Sequence, residues 1–319
     1  MTYFLFFLGF FALVKGASLL VEGASAIARR SNISDFAIGV TVVAFGTSTP
    51  ELFVTLIATL GGSPDIAVGN VVGSNIANTL LVLGATALIR PLTISQGMVL
   101  REMPYGLLAS CALLFVAGDA VFDGAAQGLV GRADGLLLLS FFAIFIYYSA
   151  SNAQRVKGME ELTSPHGRGL VASLALVVAG LAGLTLGGKW IVDGAVAVAK
   201  SFGMSEALVG LTVVAIGTSL PELATSAVAA RKGNSDLALG NVLGSNIFNI
   251  YFVLGVTAVV RPLPFRSENT MDLIAMIGAN LLLFAAVFMG RRGVLDRREG
   301  SLLLTGYLAY LASAIARIP

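Results

Sequence analysis

Residues 39–84 read GVTVVAFGTSTPELFVTLIATLGGSPDIAVGNVVGSNIANTLLVLG, and residues 210–255 read GLTVVAIGTSLPELATSAVAARKGNSDLALGNVLGSNIFNIYFVLG. The two stretches align without a gap at an offset of 171, and 26 of the 46 pairs are identical. The same register runs back through Glu22 with Asp193 to Gly9 with Gly180, and forward through Ile89-Arg90-Pro91-Leu92 against Val260-Arg261-Pro262-Leu263. After a six-residue length difference, GRADGLLLL from Gly131 still resembles DRREGSLLL from Asp296. The chain therefore contains itself twice. Its best-matched positions are polar or helix-breaking, which a duplication kept only for folding does not explain.

The solvent follows from composition. Hydrophobic residues make up 56% of the 319 and charged residues 12%, with a mean hydropathy of +0.88, whereas soluble domains are about 25% charged. A membrane-spanning helix needs about 20 apolar residues. Apolar runs at 2–28, 36–60, 65–89, 103–118, 135–150, 170–199, 207–230, 236–260, 271–289 and 301–318 give ten candidate spans. The first run lacks a basic leader and a small-residue cleavage site and has a mid-chain counterpart, so it is expected to be a span rather than a removed signal peptide.

Five spans per repeat is an odd number, so the second copy must enter the bilayer with opposite polarity. The expected architecture is an all-α integral membrane protein of ten transmembrane helices, built as two inverted five-helix repeats with broken helices at the midplane. The first repeat covers 1–150, a cytoplasmic linker 151–169, and the second repeat 170–319. Alternate loops carry 13 Lys and Arg on one side, including Arg29, Arg90 and Arg231, against 5 on the other. The basic side faces the cytoplasm, which places both termini outside a multi-pass protein of the cell (inner) membrane.

Composition also excludes other classes. A net charge of +2 is too small and too scattered for nucleic-acid binding. One cysteine, Cys111, rules out an internal disulfide or a thiolate cluster, and the single His166 makes a histidine-ligated metal equally improbable.

Each repeat concentrates its polarity in two segments. Gly46-Thr47-Ser48-Thr49-Pro50-Glu51 matches Gly217-Thr218-Ser219-Leu220-Pro221-Glu222, and Gly69-Asn70 through Gly73-Ser74-Asn75 and Asn78 matches Gly240-Asn241 through Gly244-Ser245-Asn246 and Asn249. Pro50 and Pro221 lack an N–H and crowd the carbonyls of Gly46 and Gly217. In hydrocarbon such carbonyls need protein, water or an ion as a partner. Hydroxyls of Thr47, Ser48, Thr218 and Ser219 lie beside the breaks, and Glu51 and Glu222 follow at once. A charge at the bilayer centre costs about 2.5–3.5 kcal/mol on insertion scales and normally marks a pathway. No basic residue lies in either motif, so the natural counter-charge is a bound cation. With the amide oxygens of Asn78 and Asn249 the set is all oxygen, which suits calcium and the similarly sized sodium and not zinc or copper. Ser74 and Ser245 are read as ligands, with close helix packing as their alternative. Asn70, Asn75, Asn241 and Asn246 can cap broken helix ends as well as touch an ion, and are left out of the ligand set.

These paired blocks resemble the α-repeats of the calcium/cation antiporter superfamily, most closely its sodium/calcium exchanger branch, over nearly the whole chain. The resemblance implies that Glu51 and Glu222 bind calcium and compete for sodium. It implies further ligands, as side chains or carbonyls, at Ala44, Thr47, Ser48, Ser74 and Asn78 and at Ala215, Thr218, Ser219, Ser245 and Asn249. Exchange is then by alternating access, the first and sixth helices sliding past a steadier core. Proton/calcium exchangers typically carry a GNxxE-type block where this chain has GTS-x-PE. Potassium-dependent members carry Asp at the position of Asn249. The short 151–169 segment lacks the large regulatory insert of animal exchangers, as in a prokaryote-type member.

The expected function is sodium-driven calcium antiport, with proton-coupled antiport of calcium or another divalent ion as the alternative on the same fold. No cofactor, nucleic acid or obligatory protein partner is implied; the partners are Ca2+, Na+ and the bilayer. A channel is disfavoured because filters are usually built on subunit symmetry around a pore axis. An enzyme is disfavoured because no nucleophile–base set accompanies the glutamates.

Overall fold

The structure is a computed structural model, and it describes residues 2–94, 102–122, 124–125, 127–153, 169–201, 215–289 and 293–317. Apart from a single helical turn at Asp119–Phe122, the helices are α1 (Thr2–Arg30), α2 (Asp35–Thr47), α3 (Thr49–Leu60), α4 (Pro64–Ile89), α5 (Met103–Ala117) and α6 (Arg132–Ser151). There follow α7 (Leu170–Ser201), α8 (Ala215–Thr218), α9 (Leu220–Arg231), α10 (Ser235–Val260), α11 (Ser267–Met289) and α12 (Arg297–Ala316). Four short strands, β1 (Leu92–Thr93), β2 (Gly128–Val130), β3 (Leu263–Phe265) and β4 (Val294–Leu295), lie between helices. Among the described residues, α1, α4, α6, α7, α10 and α11 are long and apolar enough to cross a membrane, and the bent pair α2–α3 makes a seventh. The opening of the 207–230 run, most of the 151–169 linker and His166 fall outside the described residues.

Local chemistry sets the helix starts. Ser34 Oγ accepts from the Ala37 N–H at 3.1 Å to begin α2, and Asn234 Oδ1 accepts from the Leu237 N–H at 3.0 Å to begin α10. Asp296 and Glu299 form a reciprocal capping box at the start of α12. The turns after α3 and α9 place repeat-equivalent glycines in the left-handed region, Gly62 at φ +87° and Gly233 at φ +85°.

Repeat-equivalent helices pack antiparallel. Along α1 and α7 the backbones nearly touch: a Cβ on Gly9 would lie 2.8 Å from the Gly187 carbonyl oxygen, and one on Gly16 2.8 Å from that of Gly180. The 171-residue offset exchanges these two contacts, Gly9 for Gly180 and Gly16 for Gly187. Small residues allow this approach where lipid provides no hydrophobic drive between helices. In α4 and α10 the end of one helix lies at the start of the other. Arg266, just past α10, pairs with Asp65 at 2.9 Å, and the Thr93 N–H, just past α4, donates to Ser235 Oγ at 3.2 Å. β1 pairs antiparallel with β4, and β2 with β3, so each ribbon joins one repeat to the other. Arg90 and Arg261 likewise reach across, donating to the terminal carbonyls of Arg231 at 3.3 Å and Thr59 at 3.2 Å.

Burial separates two layers. The most apolar windows of α4 and α10 are 72% and 83% buried, whereas those of α1, α6 and α7 are 22–33% buried. The asparagine-bearing helices therefore form the centre, and α1, α6 and α7 present apolar flanks outward.

Candidate cation site between the two repeats

Two kinds of helix irregularity build the site. The first is the expected break. Ser48 sits at φ −86°, ψ 4° and Ser219 at φ −85°, ψ 2°, each just before a helix with proline in its first turn. The α2–α3 bend is 41°. Pro50 cannot donate to the Gly46 carbonyl, and Thr49 Oγ1 donates instead to the Phe45 carbonyl at 2.8 Å. The second irregularity lies in the helices that carry the Gly-Asn motifs. α4 and α10 run through without a break and carry π-helical turns at Ala77–Val82 and Phe248–Leu254, which contain Asn78 and Asn249. A third π turn, Gly39–Val43, precedes Ala44 in α2. Such turns widen the helix and recur at functional sites.

The structure brings the sequence-derived residues together. Ala44, Thr47, Ser48, Glu51, Ser74, Asn78, Ser219, Glu222, Ser245 and Asn249 are all buried. Thr218 is half-buried, and Ala215 opens α8. The Ala44 carbonyl accepts from the Ser48 N–H at 2.9 Å and lies 3.4 Å from Thr47 Oγ1. Ser48 Oγ crosses between repeats to donate to Glu222 Oε1 at 3.1 Å, and Ser245 Oγ donates to the same oxygen at 3.3 Å.

Beneath these groups lies a layer related by the repeat. Asn241 Nδ2 donates to the Glu222 carbonyl at 3.4 Å and to Ser226 Oγ at 3.0 Å; Asn70 Nδ2 donates to the Glu51 carbonyl at 3.4 Å and to Thr55 Oγ1 at 3.0 Å. Thr47 Oγ1 donates to Asn241 Oδ1 at 3.0 Å, and Thr218 Oγ1 to Asn70 Oδ1 at 3.4 Å. Asn75 Nδ2 donates to the Asn246 carbonyl at 3.1 Å, Asn249 Nδ2 to Asn75 Oδ1 at 3.1 Å, and Asn246 Nδ2 to Thr79 Oγ1 at 2.9 Å. None of these four asparagines caps a helix end: all sit inside continuous helices and cross-link them, and Asn246 Oδ1 is buried without a partner among the described residues. Their one legible signal was exact repetition in both copies.

The pseudo-symmetry fails at the carboxylates. Both oxygens of Glu51, Oε2 of Glu222, Ser219 Oγ, both amide atoms of Asn78 and Oδ1 of Asn249 are buried without a hydrogen-bond partner among the described residues. Neither glutamate has a cationic partner there. A buried polar group without a partner is costly, and a buried charge far more so. Ionised carboxylates accept hydrogen bonds and donate none. Carboxylate, hydroxyl and amide oxygens are donor atoms that suit a hard cation held by 6–8 oxygens.

Fold and site together define a polytopic membrane transporter for cations, and comparison with known proteins makes the class specific. The profile of the sodium/calcium exchanger protein family matches residues 1–150 and 172–316, and the chain belongs to that family. It is 38% identical over 323 residues to the inner membrane protein YrbG of Escherichia coli K12, covering 97% of this chain and 95% of the relative. It is 32% identical over 344 residues to the sodium/calcium exchanger MaX1 of Methanosarcina acetivorans, covering 97% of each. Crystals of the sodium-calcium exchanger NCX_Mj soaked with 10 mM Na+ and zero Ca2+ superpose with a TM-score of 0.81 at 33% identity, covering 100% of this chain and 99% of that one. Crystals soaked with 2.5 mM Na+ and 0.1 mM Ca2+ give a TM-score of 0.80. The protein is a multi-pass membrane cation antiporter of this family, not an enzyme.

Proposed function

We propose that the protein exchanges Na+ for Ca2+ by alternating access, with both ions competing for one site centred on Glu51 and Glu222. The observation that carries this reading is the set of buried, unpartnered oxygens on two carboxylates and two asparagines from opposite repeats. One Ca2+ neutralises two carboxylates, and sodium ions must accumulate together to do the same. A cavity holding both loads would be overcharged, so occupancy is mutually exclusive. The empty, doubly negative cavity is held back by the cost of desolvating its charge, which makes the exchange obligatory.

The reading includes ten spans in two inverted repeats, 1–150 and 170–319, joined by a cytoplasmic 151–169. Antiparallel packing of α1 with α7 and of α4 with α10 supports the inversion. The Lys and Arg asymmetry supports a cell-membrane orientation with both termini outside. The full ligand set is Ala44, Thr47, Ser48, Glu51, Ser74 and Asn78 with Ala215, Thr218, Ser219, Glu222, Ser245 and Asn249. No cofactor takes part.

Calcium-45 uptake into proteoliposomes tests the reading, with an outward Na+, K+ or H+ gradient imposed in parallel. Uptake driven by Na+ and lost in both Glu51→Gln and Glu222→Gln is the expected result. Uptake that follows only the pH gradient transfers the protein to proton coupling. No calcium movement under any gradient removes calcium as the substrate.

A further inference from the structure

We infer that Asn241, Asn70 and Asn75 are positioning residues that fix the hydrogen-bond direction of Thr47, Thr218 and Asn249, so that these side chains turn oxygen lone pairs rather than hydrogens toward the cation. The inference rests on the exchange site proposed above and deepens it.

Direction enters from the backbone, because a carbonyl can only accept. Asn246 O takes the Asn75 amide N–H at 3.1 Å, so Asn75 offers its oxygen on the other side. The atom of Asn249 facing that oxygen at 3.1 Å must then be the donor, Nδ2. Asn249 Oδ1 is thereby turned away from Asn75, and it is buried without a partner among the described residues. An unconstrained asparagine could present either its oxygen or its NH2 to the site, and an NH2 group repels a cation.

The same logic governs the threonines. Ser226 donates its proton to the Ala238 carbonyl at 3.3 Å, so toward Asn241 it accepts. The Glu222 carbonyl also accepts from Asn241 Nδ2, at 3.4 Å. Both anchors force Asn241 Oδ1 to face Thr47, and at 3.0 Å it is the nearest acceptor for the hydroxyl proton, ahead of the Ala44 carbonyl and Ser245 Oγ, each at 3.4 Å. With its single hydrogen committed, Thr47 has only lone pairs left for the cavity. Asn70, anchored on the Glu51 carbonyl at 3.4 Å and on Thr55 Oγ1 at 3.0 Å, turns its Oδ1 to Thr218 at 3.4 Å in the same way, beside a Ser74 hydroxyl that is equally near. Each threonine is thus set by an asparagine of the opposite repeat. The exception lies at Asn78. It is the repeat equivalent of Asn249, but Asn246 Nδ2 is spent on Thr79 at 2.9 Å, and both amide atoms of Asn78 lack partners among the described residues. Asn249 is fixed before the ion arrives, and Asn78 is oriented by the ion itself.

A double-mutant cycle on the purified full-length protein tests this, with Ca2+ and Na+ affinities read by titration calorimetry. Asn241→Leu and Thr47→Val should each weaken Ca2+ binding about tenfold, equivalent to about 1.4 kcal/mol. The double variant should be no weaker than Thr47→Val alone, because Asn241 acts through that hydroxyl. Ser226→Ala, a milder change that removes one anchor, should weaken binding two- to threefold and have no effect in the Thr47→Val background. A merely structural role makes the losses additive, and that result, or unchanged affinity in Asn241→Leu, overturns the inference. Binding by the wild type with an additive cycle leaves the exchange reading standing, whereas a wild type that binds neither ion removes both.

Discussion

Glu51 and Glu222 occupy equivalent positions but live in different surroundings. Glu222 receives two hydroxyl protons, whereas both oxygens of Glu51 lack a partner among the described residues. Removing the charge of Glu51 should therefore relieve a desolvation cost that no neighbour offsets. Glu51→Gln is expected to raise the stability of the ion-free protein by about 1–3 kcal/mol, read as a higher melting temperature in chelator. The same substitution should abolish the Ca2+-induced rise in melting temperature. In the wild type, Ca2+ at a hundred times its Kd stabilises by about 2.7 kcal/mol through mass action. A Glu51→Gln protein less stable than the wild type in chelator would mean that the carboxylate has a favourable partner in the empty state.

Among the elements, the bent helix α2–α3 is the one whose form can be altered by a single atom. Pro50→Ala restores an N–H opposite the Gly46 carbonyl and removes the ring that crowds it. The variant is expected to keep or gain thermal stability while losing most Na+-driven Ca2+ uptake, since the hydroxyls beside the bend lose their aim. The α1–α7 contact behaves oppositely. Gly16→Leu drives a side chain into the backbone at Leu184 N, where even a Cβ would lie 2.7 Å away. Overpacking of this kind costs about 1–3 kcal/mol or more, so a lowered melting temperature is expected, with Gly187→Leu matching it. Equal loss at these two repeat-equivalent glycines would show that both contacts bear the same packing.

Legibility in the sequence divides along the same line. The Pro-Glu breaks were readable because proline acts through its own covalent structure, and Thr47, Ser48, Glu51 and their counterparts followed from proximity in the chain. The π turns at Gly39–Val43, Ala77–Val82 and Phe248–Leu254 were not readable. They change which carbonyl each N–H meets, a choice made by close approach of other helices rather than by residue propensity. Asn70 and Asn241 escaped for a related reason: their partners lie 15 and 19 positions away or in the other repeat. The short ribbons β1–β4 and β2–β3 depend wholly on contacts between repeats.

At the scale of the whole molecule, exchange requires one site to be exposed alternately to two aqueous sides. In a Cys111→Ala background, a cysteine replacing Asn152 should react with a membrane-impermeant maleimide only from the cytoplasmic face, and one replacing Gly131 only from outside. The opposite pattern would invert the assigned orientation without altering the site. The central claim is a shared site with exclusive occupancy, and equilibrium Ca2+ binding at increasing Na+ measures it most directly. The apparent Ca2+ Kd is expected to climb without a plateau, with a logarithmic slope above one because more than one Na+ displaces each Ca2+, while the number of Ca2+ sites stays at one. A Kd that levels off at high Na+, or does not move at all, would mean that both ions are held at once and would contradict that claim.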